Sequence, residues 1–408
     1  MTDADVIVVG GGAAGMFASI AAAAQNKRVI IIEKNKFMGR KLRITGKGRC
    51  NVTNDCEPDE FFCNIVRNSK FMYSPFYTFD NNSVIDFFQS NGVPLKTERG
   101  NRVFPVSDKA GDIVDCLNRQ MKKLNVNVIR NTVTDILVEN DTAYGVKIQD
   151  GKLTSKKVII ATGGISYPVT GSTGDGYRFA EKYGHKIVEP RASLVPVICR
   201  ESFCKELQGL SLKNISVSLF EGDKQIYSDF GEMLFTHFGV SGPVILSLSA
   251  HIKKDRKYMI YIDLKPALTV EMLDKRILKD FEKNINKDFV NSLSELIPIK
   301  LINPIIKLSG IDPHKKVNAV TREERYSLIE NIKKLKLSVK DLCSVDEAVI
   351  TSGGVSVKDI NPSDMQSKIV KNLYFCGEVI DVDAYTGGFN LQVAFSTGYL
   401  AGLSAGTD

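Results

Sequence analysis

The residues whose types and spacing can do chemistry are a set of glycines and one acid. Gly10, Gly12 and Gly15 punctuate the run Gly10-Gly11-Gly12-Ala13-Ala14-Gly15, and Glu33 follows about 20 residues on. In such a turn the first glycine permits the tight bend and the second lets backbone approach a pyrophosphate with no Cβ in the way. The third lets a helix pack closely on a strand. Amide hydrogens at that helix start, with the positive end of its dipole, favour phosphate oxygens. A carboxylate at the tip of the next strand accepts both ribose hydroxyls of an adenosine and repels a 2′-phosphate. The elements needed to position these groups are all present. Val6-Ile7-Val8-Val9 and Val29-Ile30-Ile31-Ile32 read as parallel strands, with an alanine-rich helix to Gln25 between them. The stretch predicts a dinucleotide site.

Three further glycine-punctuated stretches fit the same ligand. Directly after Glu33 come Lys34, Gly39, Arg40 and Lys41, then Thr45 through Asn54 with Cys50 and Asn51, a basic loop able to offer cations and amides to a phosphate or flavin ring. The strand Lys157–Ala161 runs into Ala161-Thr162-Gly163-Gly164, where the chain turns sharply past a flat ligand. Near the other end, Leu373 to Phe375 leads to Gly377-Glu378, then to a glycine loop around Gly388 and a helix through Leu403. A second helix start over the crevice stabilises negative charge on a reduced flavin. Only one Gly-x-Gly-x-x-Gly unit exists, and the chain returns to it repeatedly. One large, two-ended cofactor, FAD, fits that better than NAD.

Elsewhere the pattern predicts helices at Ser83–Gly92, Gly111–Leu124 and Tyr177–Tyr183. Three β runs, Val128–Leu137, Ala143–Ile148 and Lys157–Ala161, read as a small antiparallel meander on the main sheet. From Glu189-Pro190-Arg191 the character changes. Alternating runs Ser216–Phe220 and Lys257–Leu264 predict strands of a separate domain, followed by helices at Glu271–Phe281, Phe289–Leu296 and Arg322–Leu335 with prolines between them. The organisation expected is an α/β FAD-binding domain in two parts, 1–190 and 346–408. Between them lies an inserted substrate domain, 191–345, with a β-barrel at 191–267, a strand return near 337–345 and a helical part at 268–336.

The composition narrows the function classes. Over 408 residues the net charge is +7, and basic clusters such as Lys253-Lys254-Asp255-Arg256-Lys257 are interrupted by acids. No basic stripe with interleaved aromatics appears, so no nucleic-acid partner is expected. No long apolar run suggests a membrane span, and the first strand begins too soon for a signal peptide. A cytoplasmic location is expected. The eight cysteines include no Cys-x-x-Cys and no zinc spacing, so neither a disulfide relay nor a metal is expected. Oligomeric state is not specified.

The blocks Gly39-Arg40-Lys41, Thr45 through Asn54, Ala161 through Gly164, Thr236-His237-Phe238-Gly239-Val240-Ser241-Gly242-Pro243 and Gly377-Glu378 through Gln392 resemble the BaiN-like family of bacterial FAD-dependent oxidoreductases. The likeness spans nearly the whole chain; Ala384 departs from a position where glycine is commoner in the family. The resemblance implies a glutathione-reductase-like FAD domain interrupted by an insert of barrel and helical parts, with members similar to a bile-acid reductase and an aminoacetone oxidase. It implies adenosine ribose at Glu33, pyrophosphate at Gly12 through Gly15, and flavin at Cys50-Asn51 and at Gly388, Asn390 and Leu391, with Val133 beside the cofactor. The activity it implies is NAD(P)H-dependent reduction of a hydrophobic small molecule, such as the conjugated C=C of an enone, by hydride transfer through flavin N5. Proton-donor candidates are His237, Tyr385 and Tyr167. The alternatives are an amine or amino-ketone oxidase using oxygen, and a non-catalytic flavin-binding protein.

Overall fold

The computed structural model describes residues 2–407. The chain divides into two compact units, Met1–Ser193 with Val345–Asp408, and Leu194–Ser344.

The first unit is built on a seven-stranded sheet. β1 (Ala4–Val9) and β2 (Val29–Glu33) run parallel on either side of the helix Ala13–Ala23 in sequence, with Val6 opposite Val29 and Val9 opposite Ile32. Apolar side chains fill both strands because both faces of a parallel sheet are covered. β3 (Thr53–Asn54), β4 (Leu95–Glu98) and β5 (Arg102–Pro105) make a small antiparallel sheet of their own. β6 (Asn127–Arg130) then joins β2 in parallel, and β7 (Val133–Glu139), β8 (Thr142–Ile148) and β9 (Gly151–Ile160) follow as an antiparallel meander. β9 also pairs in parallel with β1, giving the order β6-β2-β1-β9-β8-β7. The run expected as one strand over Val128–Leu137 is therefore two. Asn131 and Thr132 break it, so its first half edges the parallel sheet and only its second half enters the meander.

β10 (Ile187–Ser193) leads out of this unit. The second unit is a closed barrel of β11 (Val197–Cys199), β12 (Ser211–Glu221), β13 (Lys224–Phe235), β14 (Gly239–Ser241), β15 (Tyr258–Asp263) and β16 (Leu335–Leu342), in the order β11-β14-β13-β12-β15-β16. Alternate residues point inward: Val217, Leu219, Ile260, Ile262, Leu335 and Leu337 are buried in its core. Closure leaves no free strand edge. Between β15 and β16 stand the helices Val270–Lys283, Ile299–Ser309 and Arg322–Lys333. The middle one corrects the sequence reading. Phe289–Leu296 holds only a single 3-10 turn at Phe289–Ser292, and the helix lies at Ile299–Ser309 with Pro304 inside it. A mid-helix proline forfeits a backbone hydrogen bond, a loss of roughly 3 kcal/mol, but burial of Leu301, Ile302, Ile305 and Ile306 along one face offsets it.

The chain re-enters the first unit through β17 (Ile350–Val355), antiparallel to β10 with Ser193 opposite Ile350. β18 (Leu373–Phe375) adds to the main sheet beside β9, and the closing helix Phe389–Gly406 packs on the first helix. The two helices approach at backbone distance. A Cβ on Gly398 would fall 2.3 Å from the Ala14 carbonyl oxygen, and one on Gly402 would fall 2.1 Å from that of Ala18. Phe17 anchors the core nearby, its ring 4.7 Å from Phe395 and 5.2 Å from Phe79.

Candidate active site

The first helix starts without a side-chain cap, its N-cap being Gly12. Its first amides are left for an outside acceptor. A Cβ at Gly12 would meet nothing within 4 Å, so the space in front of that helix end is open. Gly10, at φ +106°, lies against Ala161, whose carbonyl oxygen would be 2.5 Å from an added Cβ, and one on Gly15 would fall 1.9 Å from the Gly10 carbonyl oxygen. Gly10 and Gly15 are thus both held at backbone contact distance, while Gly12 borders open space. Glu33 is buried at the end of β2. Its Oε2 accepts from the Gly11 amide at 2.8 Å, and its Oε1 accepts from the Asn35 amide at 2.8 Å and the Asn35 side chain at 2.7 Å. Three donors fix this carboxylate in one orientation.

The basic loop is stitched to the middle and late parts of the chain. Lys41 Nζ donates to Ser166 Oγ and to Glu378 Oε2, both at 2.6 Å. Ser166 Oγ donates to Glu378 Oε1 at 2.7 Å, and the Thr351 amide donates to the same oxygen at 2.9 Å. Thr351 Oγ1 in turn accepts the amides of Ile165 and Ser166. Gly164 has to be glycine here, since a Cβ would sit 2.3 Å from Thr351 Oγ1. Lys34 points elsewhere, to Thr173 Oγ1 at 2.5 Å and Asp175 Oδ2 at 2.7 Å, and Arg40 donates to Asn35 Oδ1 at 2.8 Å. Gly39 is left-handed, and its amide donates to the Gly11 carbonyl at 2.8 Å, tying this loop to the fingerprint. Ser166 and Thr351 were not singled out in the sequence, because a lone serine or threonine in a loop carries no periodic or motif signal.

Gly388, at φ +103°, starts the closing helix, again without a side-chain cap. Its own Cβ would fall 2.3 Å from the Thr53 carbonyl oxygen, so this turn lies directly on the strand after Cys50-Asn51. Asn390 braces the approach: its Oδ1 accepts the Ala384 amide at 2.9 Å and its Nδ2 donates to the Ala384 carbonyl at 2.7 Å. Gln392 accepts from Thr53 Oγ1 at 2.6 Å. Leu391 is partly buried against the core, Gly377 donates its amide to Thr397 Oγ1 at 3.0 Å, and Val133 is buried in β7. Cys50 is fully buried in a left-handed backbone, and burial pushes its thiol up to about 12, which suppresses the reactive thiolate. Orphaned polar atoms complete the arrangement. Asn51 Oδ1 and Thr162 Oγ1 are buried with no hydrogen-bond partner. Buried polar atoms without partners are rare. An uncapped helix start facing open space and orphaned polar atoms in two of the expected loops fit a dinucleotide with a flavin end.

The three proton-donor candidates lie on different elements of the chain. Tyr167 is partly buried in a left-handed backbone before a proline turn, and Tyr385 is partly buried in the loop before Gly388, its amide donating to the Asn64 carbonyl. His237 is exposed in the turn between β13 and β14 of the second unit, its ring 4.9 Å from that of Phe238. The sequence reading passed over a buried acidic cluster in the Tyr385 loop. Asp383 accepts from Ser352 Oγ at 3.0 Å, and Arg67 donates to that same oxygen at 3.3 Å while its Nε lies 3.5 Å from Asp381 Oδ1. Burial, with Asp381 adding to it, pushes the Asp383 carboxyl up to about 6 against the pull of Ser352, Arg67 and Arg191. Its signal in the sequence was the pair of acids two residues apart beside a glycine loop.

The profile of the family described as HI0933-like protein Rossmann domain matches residues 4–404. A 3-dehydro-bile acid delta(4,6)-reductase of Clostridium scindens is 28% identical over 404 residues, covering 98% of each chain. A ribosomal RNA dihydrouridine synthase of Haemophilus influenzae is 30% identical over 405 residues, covering 98% of this chain and 97% of its own. Among solved structures, the 3-ketosteroid-delta4-(5alpha)-dehydrogenase of Rhodococcus jostii superposes with a TM-score of 0.54 at 15% identity, over 100% of this chain and 98% of its own, a likeness of fold. No helix among the described residues is long and apolar enough to cross a membrane.

Proposed function

We propose that this chain, which belongs to the HI0933-like family and is an FAD-dependent oxidoreductase, uses NAD(P)H to saturate a carbon–carbon double bond conjugated to a carbonyl. The observation that carries this reading is the bond shared by two full-length relatives. Reduction of a 3-dehydro-bile acid at delta(4,6) and conversion of uridine to dihydrouridine both saturate a C=C next to a C=O. The chemistry FAD supplies when bound is hydride transfer through N5. The protein's own part is to hold the ring, polarise the carbonyl and deliver a proton to the carbon beside the one that takes hydride. Tyr385, Tyr167 and His237 are the candidates for that proton.

The first reading of the substrate is a hydrophobic enone such as a 3-oxo steroid or bile-acid intermediate, met as a small molecule in a cytoplasmic setting. The second is a uracil ring in RNA. A specific observation favours it: residues 194–344 carry 24 Lys and Arg against 19 Asp and Glu, so +5 of the chain's +7 lies in the barrel unit. Anaerobic bleaching of the yellow protein with NADH or NADPH, followed by reoxidation with a panel of enones and with ribosomal RNA transcripts, tests both. Saturated steroid or dihydrouridine in the product identifies the substrate. Failure of every conjugated acceptor to restore the yellow colour, with rapid peroxide formation from an amine instead, overturns the reductase in favour of an oxidase.

A further inference from the structure

We propose that the outer face of the barrel is a docking surface for single-stranded RNA, stacking bases on Phe220, Tyr261 and Phe230 and meeting phosphates with lysines at one barrel end. This rests on the uracil reading above. Strand alternation fixes which side chains face out. Ile215, Val217 and Leu219 of β12 are buried inward, so Ser216, Ser218 and Phe220 face outward. The register sets Ser218 opposite Tyr261 of β15 and Ser228 of β13, and Ser216 opposite Phe230 of β13. The Phe220 and Tyr261 rings meet edge to face with centroids 5.1 Å apart, and Phe230 is 54% exposed. Between the aromatics the face carries small hydroxyls, Ser218 and Ser228, 3.0 Å apart. Aromatic rings spaced by small polar groups on a sheet suit unstacked bases, whose faces stack on any ring while hydroxyls meet their edges and the 2′-OH.

The charge complements that face. Lys253, Lys254 and Lys257 are exposed in the turn before β15, and Lys224 is exposed at the start of β13. Glu221 pairs with both Tyr258 and Lys224 in the register, which brings the two turns to the same barrel end, next to Phe220. Of the acids at this end, Glu221 accepts from Arg256 at 2.6 Å, and Asp223 and Asp255 are exposed, leaving the four lysines in excess. The sequence hides this surface, because its rings and cations come from strands that only the barrel closure makes adjacent.

The test is fluorescence anisotropy of the full-length holoprotein with a labelled oligouridylate, titrated with salt, alongside dihydrouridine formation in a ribosomal RNA transcript. Expected for the wild type is binding whose logarithm falls linearly with log salt. The triple variant Lys253→Glu, Lys254→Glu, Lys257→Glu flattens that slope by about 2 and weakens binding more than tenfold at low salt. Phe220→Ala and Tyr261→Ala each weaken it by about tenfold with little change of slope. Bound flavin and NAD(P)H bleaching report that the FAD unit remains folded. A wild type that forms dihydrouridine while all these variants bind and react like it overturns the docking face and leaves the uracil reading intact. A wild type that neither binds nor reduces RNA overturns both.

Discussion

Glu33 is held on both oxygens by amides and by Asn35, so its charge is committed to one direction. Glu33→Gln keeps the shape and removes the charge. It is expected to weaken FAD retention about 10- to 100-fold, the scale of losing charge-assisted hydrogen bonds, read as flavin released on ultrafiltration. Asp383 gives a pH-dependent outcome. Its folded pKa of about 6 lies above the ordinary carboxylate value, so the stability it contributes is present below pH ~4 and is lost as pH rises through about 6. Asp383→Asn does not titrate, so its stability relative to wild type should improve between pH 4.5 and 8, by up to ~3 kcal/mol in urea melts. An unchanged difference across that range rules out the buried carboxyl as its source. At this scale the glycines were legible because backbone geometry dictates their type, and Glu33 because its spacing from them puts a carboxylate at the tip of the next strand. The hydroxyls of Ser166 and Thr351 and the Asp383 cluster were not, because hydrogen bonds between distant segments leave no spacing in the sequence.

The closing helix shows what an element-level reading catches and misses. Its existence followed from the apolar run, and its uncapped start from Gly388. Its partner did not follow, yet Gly398 and Gly402, four apart, are the trace of a helix meeting another backbone. Gly402→Ala places a methyl 2.1 Å from the Ala18 carbonyl oxygen and must push the two helices apart. The expected loss is about 1–3 kcal/mol in thermal or urea unfolding, with weaker flavin binding because both helix starts move. Gly402 is helical with no positive φ, so this loss reads the clash and not backbone strain. The helix Ile299–Ser309 escaped the sequence because a proline was read as a boundary. Burial of one apolar face outweighed that local signal.

On the scale of the whole molecule, the strands entering and leaving the second unit are hydrogen-bonded to each other, with Ser193 opposite Ile350. The first unit therefore does not need the intervening residues to bring its two parts together. Replacing residues 194–344 with a short Gly/Ser linker is expected to give a yellow protein that retains FAD yet loses turnover with the acceptor. A colourless product would mean that the barrel unit is required to build the flavin cradle. The two-part domain was legible because its glycine loops recur at both ends of the sequence, whereas barrel order was not, since strand closure depends on register rather than composition.

The contact between the first and last helices also bears on how the protein is made. Ala14 and Ala18 are synthesised well before Gly398 and Gly402, the glycines that cover them. Until then the alanine face stays bare and the second helix start is missing. Coenzyme loading is thus expected only once the closing helix has been made, and chains stalled before Phe389 should emerge without colour.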